Sequence, residues 1–169
     1  MGEGLDEFEH FVRAQDSLYR QVLIELAAGR KQSDWMWFVF PQLRGLGQSM
    51  MSDRYAIDNR GQAIRYLSHN TLGRRLRECT ELVLSVHGRT AEDIFGYPDC
   101  MKLHSSLTLF SLCSHLASVF SKGIDKYFRG ELDPGTIRLL YPDCDVCSQR
   151  DGFEHGTGGI RQREEEEPL

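Results

Sequence analysis

Long apolar runs are what this sequence most clearly lacks. No stretch approaches the roughly 20 consecutive apolar residues that a membrane-spanning helix needs. The first ten residues, MGEGLDEFEH, are acidic, whereas a secretory signal would be basic and then apolar. The sequence therefore favours neither a membrane protein nor a secreted one.

Cysteine and proline are also scarce, at five residues each among 169. Five is an odd number of cysteines, and their spacing is not that of a disulfide framework, so we expect free thiols in a reducing compartment, the cytoplasm or the nucleus. The share of apolar residues is 40% and that of charged residues 27%, which excludes collagen-like and wholly disordered chains. The length predicts one domain.

An excess of basic charge is missing as well. The net charge is −5, and the segment from Ser148 onward holds three Arg against six Asp and Glu. The rest of the chain is close to neutral and offers no broad positive field to a polyanion. We therefore predict no nucleic-acid partner and no membrane partner.

Helical periodicity is the clearest signal that is present. Apolar side chains recur every three or four residues over 5–28, which predicts a helix that ends at Gly29. The same spacing predicts a second amphipathic helix over 71–86. Thr90 and Asp93 have the spacing of a capping box, which predicts a short helix after them.

Three further helices complete the predicted fold. Residues 99–121 are apolar on most sides and interrupted by small serines, which predicts one long central helix. Asp133 before Pro134 predicts a short helix through Leu140, and 61–68 is another short candidate. We expect a mainly α, compact multihelical single domain over 5–141. The segment 142–169, with its run of four Glu, predicts a disordered acidic tail.

Both tryptophans, Trp35 and Trp37, lie in the apolar stretch 35–40. Such aromatic density is typical of a core, and the alternative is a platform of rings in a ligand cleft. The residues that follow, Gln42, Arg44 and Ser49 with two glycines among them, supply donors for a phosphate or a planar base. The segment therefore has both a structural and a ligand-binding interpretation.

Lys102 on the predicted central helix is a second candidate anion contact. We expect it to converge with Arg44 and Gln42 on one pocket, although the alternative is that both cations pair with surface acids. The predicted ligand-binding residues are Trp35, Trp37, Gln42, Arg44, Ser49 and Lys102.

Metal and cofactor motifs are weak. His104 and His115 are about 16 Å apart along a helix, too far to share one ion. Cys144 and Cys147 with His155 make only half of a zinc pattern. We predict neither a metal site nor a cofactor.

Four segments in order carry a family resemblance: KQSDWMWFVFPQLRGLGQSMMSDRYAI, AIRYLSHNTLGRRLRE, DIFGYPDCMKLHSSLTLF and YFRGELDPGTIRLL. They resemble the domain of unknown function 1810 family over about residues 5–141. The resemblance implies a compact, mainly helical single domain whose activity is not established. The chain departs from the family at Asp34, where the family usually has His, and at Asn70, where Pro usually follows the residue that matches His69. If that first His does chemistry in relatives, this chain has either lost that chemistry or uses the Asp34 carboxylate for it.

A second similarity concerns the order of Phe40-Pro41, Gly45, Ser49, Asp53 and Tyr55-Ala56. This order is similar to that in NADAR-type proteins, helical enzymes that act on N-glycosidic bonds of ADP-ribose-like or nucleotide substrates. It implies a catalytic carboxylate at Asp53 that stabilises an oxocarbenium-like centre. The simpler alternative is that Asp53 is an acid in the first turn of a helix.

Three functions remain open from the sequence. The first is a binding domain for a small anionic or nucleotide-like ligand. The second is an N-glycosidase-like hydrolase. The third is a protein-interaction domain, which would expose the apolar groups that we assign to the core.

Overall fold

Residues 6–143 are described by a computed structural model, and within them the chain is mainly helical, as predicted. The regular elements there are α-helices, and the only β pairing in this range is one isolated bridge. The helices are α1 (Glu9–Ala27), α2 (Met36–Val39), α3 (Met50–Arg54), α4 (Arg60–Ser68), α5 (Leu72–Ser85), α6 (Ala91–Phe95), α7 (Asp99–Leu112), α8 (Val119–Phe128) and α9 (Pro134–Leu140).

The two amphipathic helices form where the periodicity predicted them. α1 buries Phe11, Val22 and Leu26, and it packs against α5. The chain leaves α1 at Gly29, whose φ of +65° lies in the left-handed region that glycine adopts most readily. The predicted end of the first helix is therefore confirmed.

Side-chain caps begin several of the short helices. Thr90 and Asp93 form the predicted capping box at the start of α6, each side chain bonding to the other residue's backbone N–H. Asp133 caps α9 by accepting from the backbone N–H of Thr136, and Pro134 occupies the first turn. Both predicted helix starts are confirmed.

The central helix is shorter than predicted, since α7 ends at Leu112 rather than near Ser121. The segment after it begins a new helix, because the Ser118 side chain accepts a hydrogen bond from the backbone N–H of Ser121 and so caps α8. α7 still lies at the centre of the fold, where it contacts α4, α6, α8 and α9.

The aromatic segment belongs to the core. Trp35, Met36, Phe38, Val39 and Phe40 are all buried. The short helix α2 was not predicted, since four residues are too few to show a helical period. Its buried side chains Met36, Phe38 and Val39 fix its position, and Trp37 between them lines a cavity.

The chain after the aromatic segment is fastened by its own backbone. Leu43 and Ile57 form a parallel bridge, in which Arg44 N–H donates to the Ile57 carbonyl and Ile57 N–H donates to the Gln42 carbonyl. Residues 42–49, which we call the cavity loop, start at this bridge and lead into α3.

No helix between residues 6 and 143 is long and apolar enough to cross a bilayer. The predicted disordered tail, with Cys144, Cys147 and His155, lies almost wholly outside the described residues.

Candidate functional site

A cavity of about 610 Å³ lies between the cavity loop, the start of α7 and the start of α9. We call it the α7 cavity. The polar and aromatic side chains on its wall include Trp37, Gln42, Ser49, Lys102, Ser105 and Asp133. Four of the six ligand-binding residues predicted from the sequence therefore meet at one cavity.

Trp35 does not line the α7 cavity, because it is a core residue with no exposed surface. Its indole N–H donates to the Glu25 carboxylate at 2.8 Å. The geometry therefore supports the interpretation of Trp35 as a core residue and not as a ring in a ligand cleft. Trp37 is half-buried and reaches the cavity wall.

The structure places Arg44 away from Lys102, beside a different cavity that also contacts Leu139. Its side chain is held by two carboxylates, those of Asp58, at 2.7 Å, and Asp53. The backbone bridge to Ile57 fixes Arg44 next to these acids, so it cannot turn toward the α7 cavity without losing both ion pairs. The structure brings Lys102 and Gln42 together at the α7 cavity, but it does not bring Arg44 there as predicted.

Asp53, the predicted catalytic candidate, is on the surface. Its side chain is 74% exposed and pairs with Arg44, and it does not line the α7 cavity. It is the acidic residue in the first turn of α3, which matches the simpler alternative. Asp34, which stands where the family usually has His, is also exposed.

The positive charge at the α7 cavity comes from a three-residue cluster. The Asp99 carboxylate is 2.8 Å from the Lys102 ammonium and 2.7 Å from that of Lys31. Burial alone would raise the pKa of Asp99, but hydrogen bonds from the two lysines outweigh it and lower the pKa. One carboxylate thus faces two ammonium groups, and the cluster carries a net positive charge.

Lys102 also contacts the aromatic wall. Its Nζ atom lies 4.8 Å from the centroid of the Trp37 ring, within the range of a cation–π interaction. The indole N–H of Trp37 is buried and has no hydrogen-bond acceptor among residues 6–143. The ring is therefore oriented by packing and by Lys102 rather than by a hydrogen bond of its own.

Asp133 contacts α7 at Ser105, which is one helical turn after Lys102. Its Oδ2 atom accepts hydrogen bonds from the Ser105 hydroxyl at 2.9 Å and from Thr136, whose N–H is at 2.9 Å and hydroxyl at 2.6 Å. Burial alone would raise the pKa of Asp133, but these hydrogen bonds outweigh it, so the pKa is lowered. The carboxylate is ionised at neutral pH.

The backbone of the cavity loop at Gly47 lies very close to the side chains of Ser52 and Gln42. A Cβ atom on Gly47 would lie 2.3 Å from the Ser52 Cβ and 3.0 Å from the Gln42 amide nitrogen. Glycine is therefore required for the loop backbone to approach these side chains. The close approach leaves Gln42 almost fully buried.

Sequence reasoning missed Asp99, Lys31 and Asp133 as members of the site. Asp133 was predicted only as a helix cap, and it is 31 positions from Lys102 along the chain. No local motif joins them, because the contact arises when α9 packs against α7. Two spacings were usable signals, since Asp99 and Ser105 each lie three residues from Lys102, one helical turn away on the predicted central helix.

Comparison with known proteins places the chain in a family. The model of the family described as "Protein of unknown function (DUF1810)" matches residues 5–140. The chain belongs to this family, as its sequence segments predicted.

A solved relative has the same fold. The crystal structure of the conserved hypothetical protein Rv1873 from Mycobacterium tuberculosis matches with a TM-score of 0.78 and 50% sequence identity. The match covers 79% of this chain and 96% of that one. Comparison with curated proteins gives no match.

Proposed function

We propose that this protein binds a small anionic, nucleotide-like molecule in the α7 cavity. The observation that carries the proposal is the cluster of Lys31, Asp99 and Lys102, in which two ammonium groups share one carboxylate. The exposed fractions of these side chains are only 7% for Lys31 and 19% for Lys102.

Burial makes the surplus charge significant. A cation that is largely removed from water is costly unless an opposite charge compensates it. Asp99 compensates only one of the two lysines, and Lys102 is the one on the cavity wall. A phosphate or carboxylate in the cavity would supply the second negative charge.

The size and lining of the cavity support a nucleotide-like ligand over a bare ion. A volume of about 610 Å³ is in the usual range for small-molecule sites. Trp37 and Tyr97 place aromatic rings on the wall, on which a planar base can stack. Gln42 and Ser49 add neutral hydrogen-bonding groups on the loop side.

The alternatives have less support. The hydrolase interpretation depended on Asp53, which is exposed and lies outside the cavity. An interaction domain would expose the apolar groups of the aromatic segment, yet residues 38–40 are buried.

Calorimetric titration tests the proposal with AMP, ADP-ribose and adenosine as probes. We expect the two phosphate-bearing probes to bind and adenosine to bind at least tenfold more weakly. Lys102→Gln should reduce AMP affinity at least tenfold. Lys122→Gln is the matched control, since this exposed lysine lies on α8 and does not line the α7 cavity.

Two results would contradict the proposal. One is the absence of AMP and ADP-ribose binding to the unmodified protein. The other is an equal affinity for AMP in the unmodified protein and in the Lys102→Gln variant.

A further inference from the structure

The α7 cavity also has a negatively charged side, formed by Asp133. We propose that Asp133 is a specificity-determining residue that accepts a hydrogen bond from a sugar hydroxyl, so that the ligand class is the ribose phosphates. This inference rests on the proposed function, because Lys102 is taken to hold the phosphate of the same molecule.

The two charged groups are close enough for one ligand. Lys102 and Ser105 are three residues apart on α7, so their side chains are neighbours on one face of the helix. Ser105 donates directly to Asp133 at 2.9 Å. The cavity wall therefore runs from the ammonium of Lys102, past Ser105, to the carboxylate of Asp133.

One oxygen of Asp133 has no hydrogen-bond donor among the described residues. The three hydrogen bonds from Ser105 and Thr136 all end on Oδ2, and Oδ1 accepts none from any residue in the described range. An ionised carboxylate is an acceptor only. The ligand group that meets Oδ1 must therefore be a donor, either a hydroxyl or an ammonium group.

A hydroxyl is favoured over an ammonium group. Lys102 lies on the same wall, and the Asp99 cluster beside it is already positive, so a second cation in the cavity would be repelled. A neutral hydroxyl has no such cost. An acidic side chain likewise accepts a hydrogen bond from the ribose 2′-hydroxyl in dinucleotide-binding sites.

A ribose phosphate has a group for Lys102 and a group for Asp133. Its phosphate carries the negative charge that the lysine cluster lacks, and its 2′- and 3′-hydroxyls lie at the other end of the sugar. The base that a nucleotide carries would then meet the rings of Trp37 and Tyr97.

The test compares AMP with 2′-deoxyAMP and 3′-deoxyAMP by calorimetry. For the unmodified protein we expect the loss of at least one of the two hydroxyls to weaken binding about tenfold or more, as for a hydrogen bond to a charged group. In Asp133→Asn the difference in affinity between AMP and the same deoxy probe should be much smaller. Asparagine caps helices as well as aspartate does, so α9 should persist, and thermal melting checks this.

Lys102→Gln is the control that separates the two proposals. It should weaken all three nucleotides together and preserve the discrimination against the deoxy probe. If AMP binding depends on Lys102 but neither deoxy probe binds more weakly than AMP, the inference about Asp133 fails and the proposed function stands. If no nucleotide binds, both fail.

A folding defect in Asp133→Asn would not remove the test. The comparison of AMP with its two deoxy forms requires only the unmodified protein. Ser105→Ala then removes one hydrogen bond from Asp133 without changing the cap of α9, and we expect it to alter the deoxy discrimination. Discrimination identical to that of the unmodified protein would contradict a role for the Ser105–Asp133 pair.

Discussion

The indole N–H of Trp35 donates a hydrogen bond of 2.8 Å to the carboxylate of Glu25, a buried charge near the end of α1. The same carboxylate accepts the backbone N–H groups of Gln32 and Ser33 and the Ser33 hydroxyl. Glu25 thus holds the turn after α1 and the first ring of the aromatic segment in one arrangement. The start of α2, and with it the cavity wall at Trp37, depends on this anion.

Acid should therefore weaken the fold through Glu25. Burial alone would raise the pKa of this carboxyl, but hydrogen bonds from Gln32, Ser33 and Gln21 lower it to about 2 from an ordinary value of 4.5. The stabilisation is complete above about pH 4.5 and disappears as the pH falls toward 2, with a full size of about 3 kcal/mol.

Urea unfolding at several pH values between 7 and 2.5 measures this effect. Glu25→Gln should be less stable at pH 7 and should show a flatter dependence of stability on pH. Parallel pH profiles for the variant and the unmodified protein would contradict the role of Glu25.

The two tryptophans should differ in their contribution to stability. Trp35→Ala should cost about 3–5 kcal/mol, because a fully buried ring and a buried hydrogen bond are lost. Trp37→Ala should cost less than Trp35→Ala, since part of the ring is exposed at the cavity wall. Chemical denaturation of both variants gives the comparison, and equal losses would place Trp37 in the core instead of on the cavity wall.

Gly73 and Gly61 form a matched pair, each the second residue of a helix. A Cβ atom on Gly73 would lie 2.0 Å from the carbonyl oxygen of Leu67, so Gly73→Ala must displace backbone, and we expect a loss of at least about 2 kcal/mol. At Gly61 the nearest atom is the Asn59 side-chain oxygen at 3.2 Å.

Gly61→Ala should therefore stay within about 1 kcal/mol of the unmodified protein, since alanine favours the helix. Thermal melting of the two variants side by side is the measurement. If the two variants had the same melting temperature, the close approach of Gly73 on α5 to the Leu67 carbonyl on α4 would be contradicted.

The thiols should differ in reactivity. Burial raises the pKa of Cys79 to about 12, and it also raises the pKa of Cys113, which is only partly buried. Because the thiolate is the reactive form, iodoacetamide at pH 8 should modify Cys113 well before Cys79 in the folded protein.

Peptide mass spectrometry after timed labelling gives the two rates. Labelling in concentrated urea is the control, in which both thiols should react alike. Equal rates in the folded state would contradict the burial of Cys79 on the inner face of α5.

The sequence predicted the long helices because their burial is one-sided. α1 and α5 have one apolar face each, and the caps at Thr90 and Asp133 are set by neighbours within four residues. The break between α7 and α8 was not predictable in this way. α7 is buried on most sides, so periodicity alone does not mark where it ends, although α8 after it is amphipathic, with Lys122 and Asp125 exposed.

The candidate site was predictable only in part, for a related reason. Trp37, Gln42 and Ser49 follow one another along the chain, so their proximity is local. Asp133 reaches Ser105 only after α9 has packed against α7. Arg44 was misplaced because its acid partner Asp58 lies beyond the backbone bridge, which no local pattern reveals.

The bridge between Leu43 and Ile57 closes the chain around the cavity loop and α3 with main-chain hydrogen bonds alone. An exposed residue between these two points, such as Met50, can change without breaking the backbone hydrogen bonds that close the segment, whereas Gly47 leaves no room for a side chain. The course of this segment therefore depends on its backbone bridge and on Gly47 more than on the identity of its exposed residues.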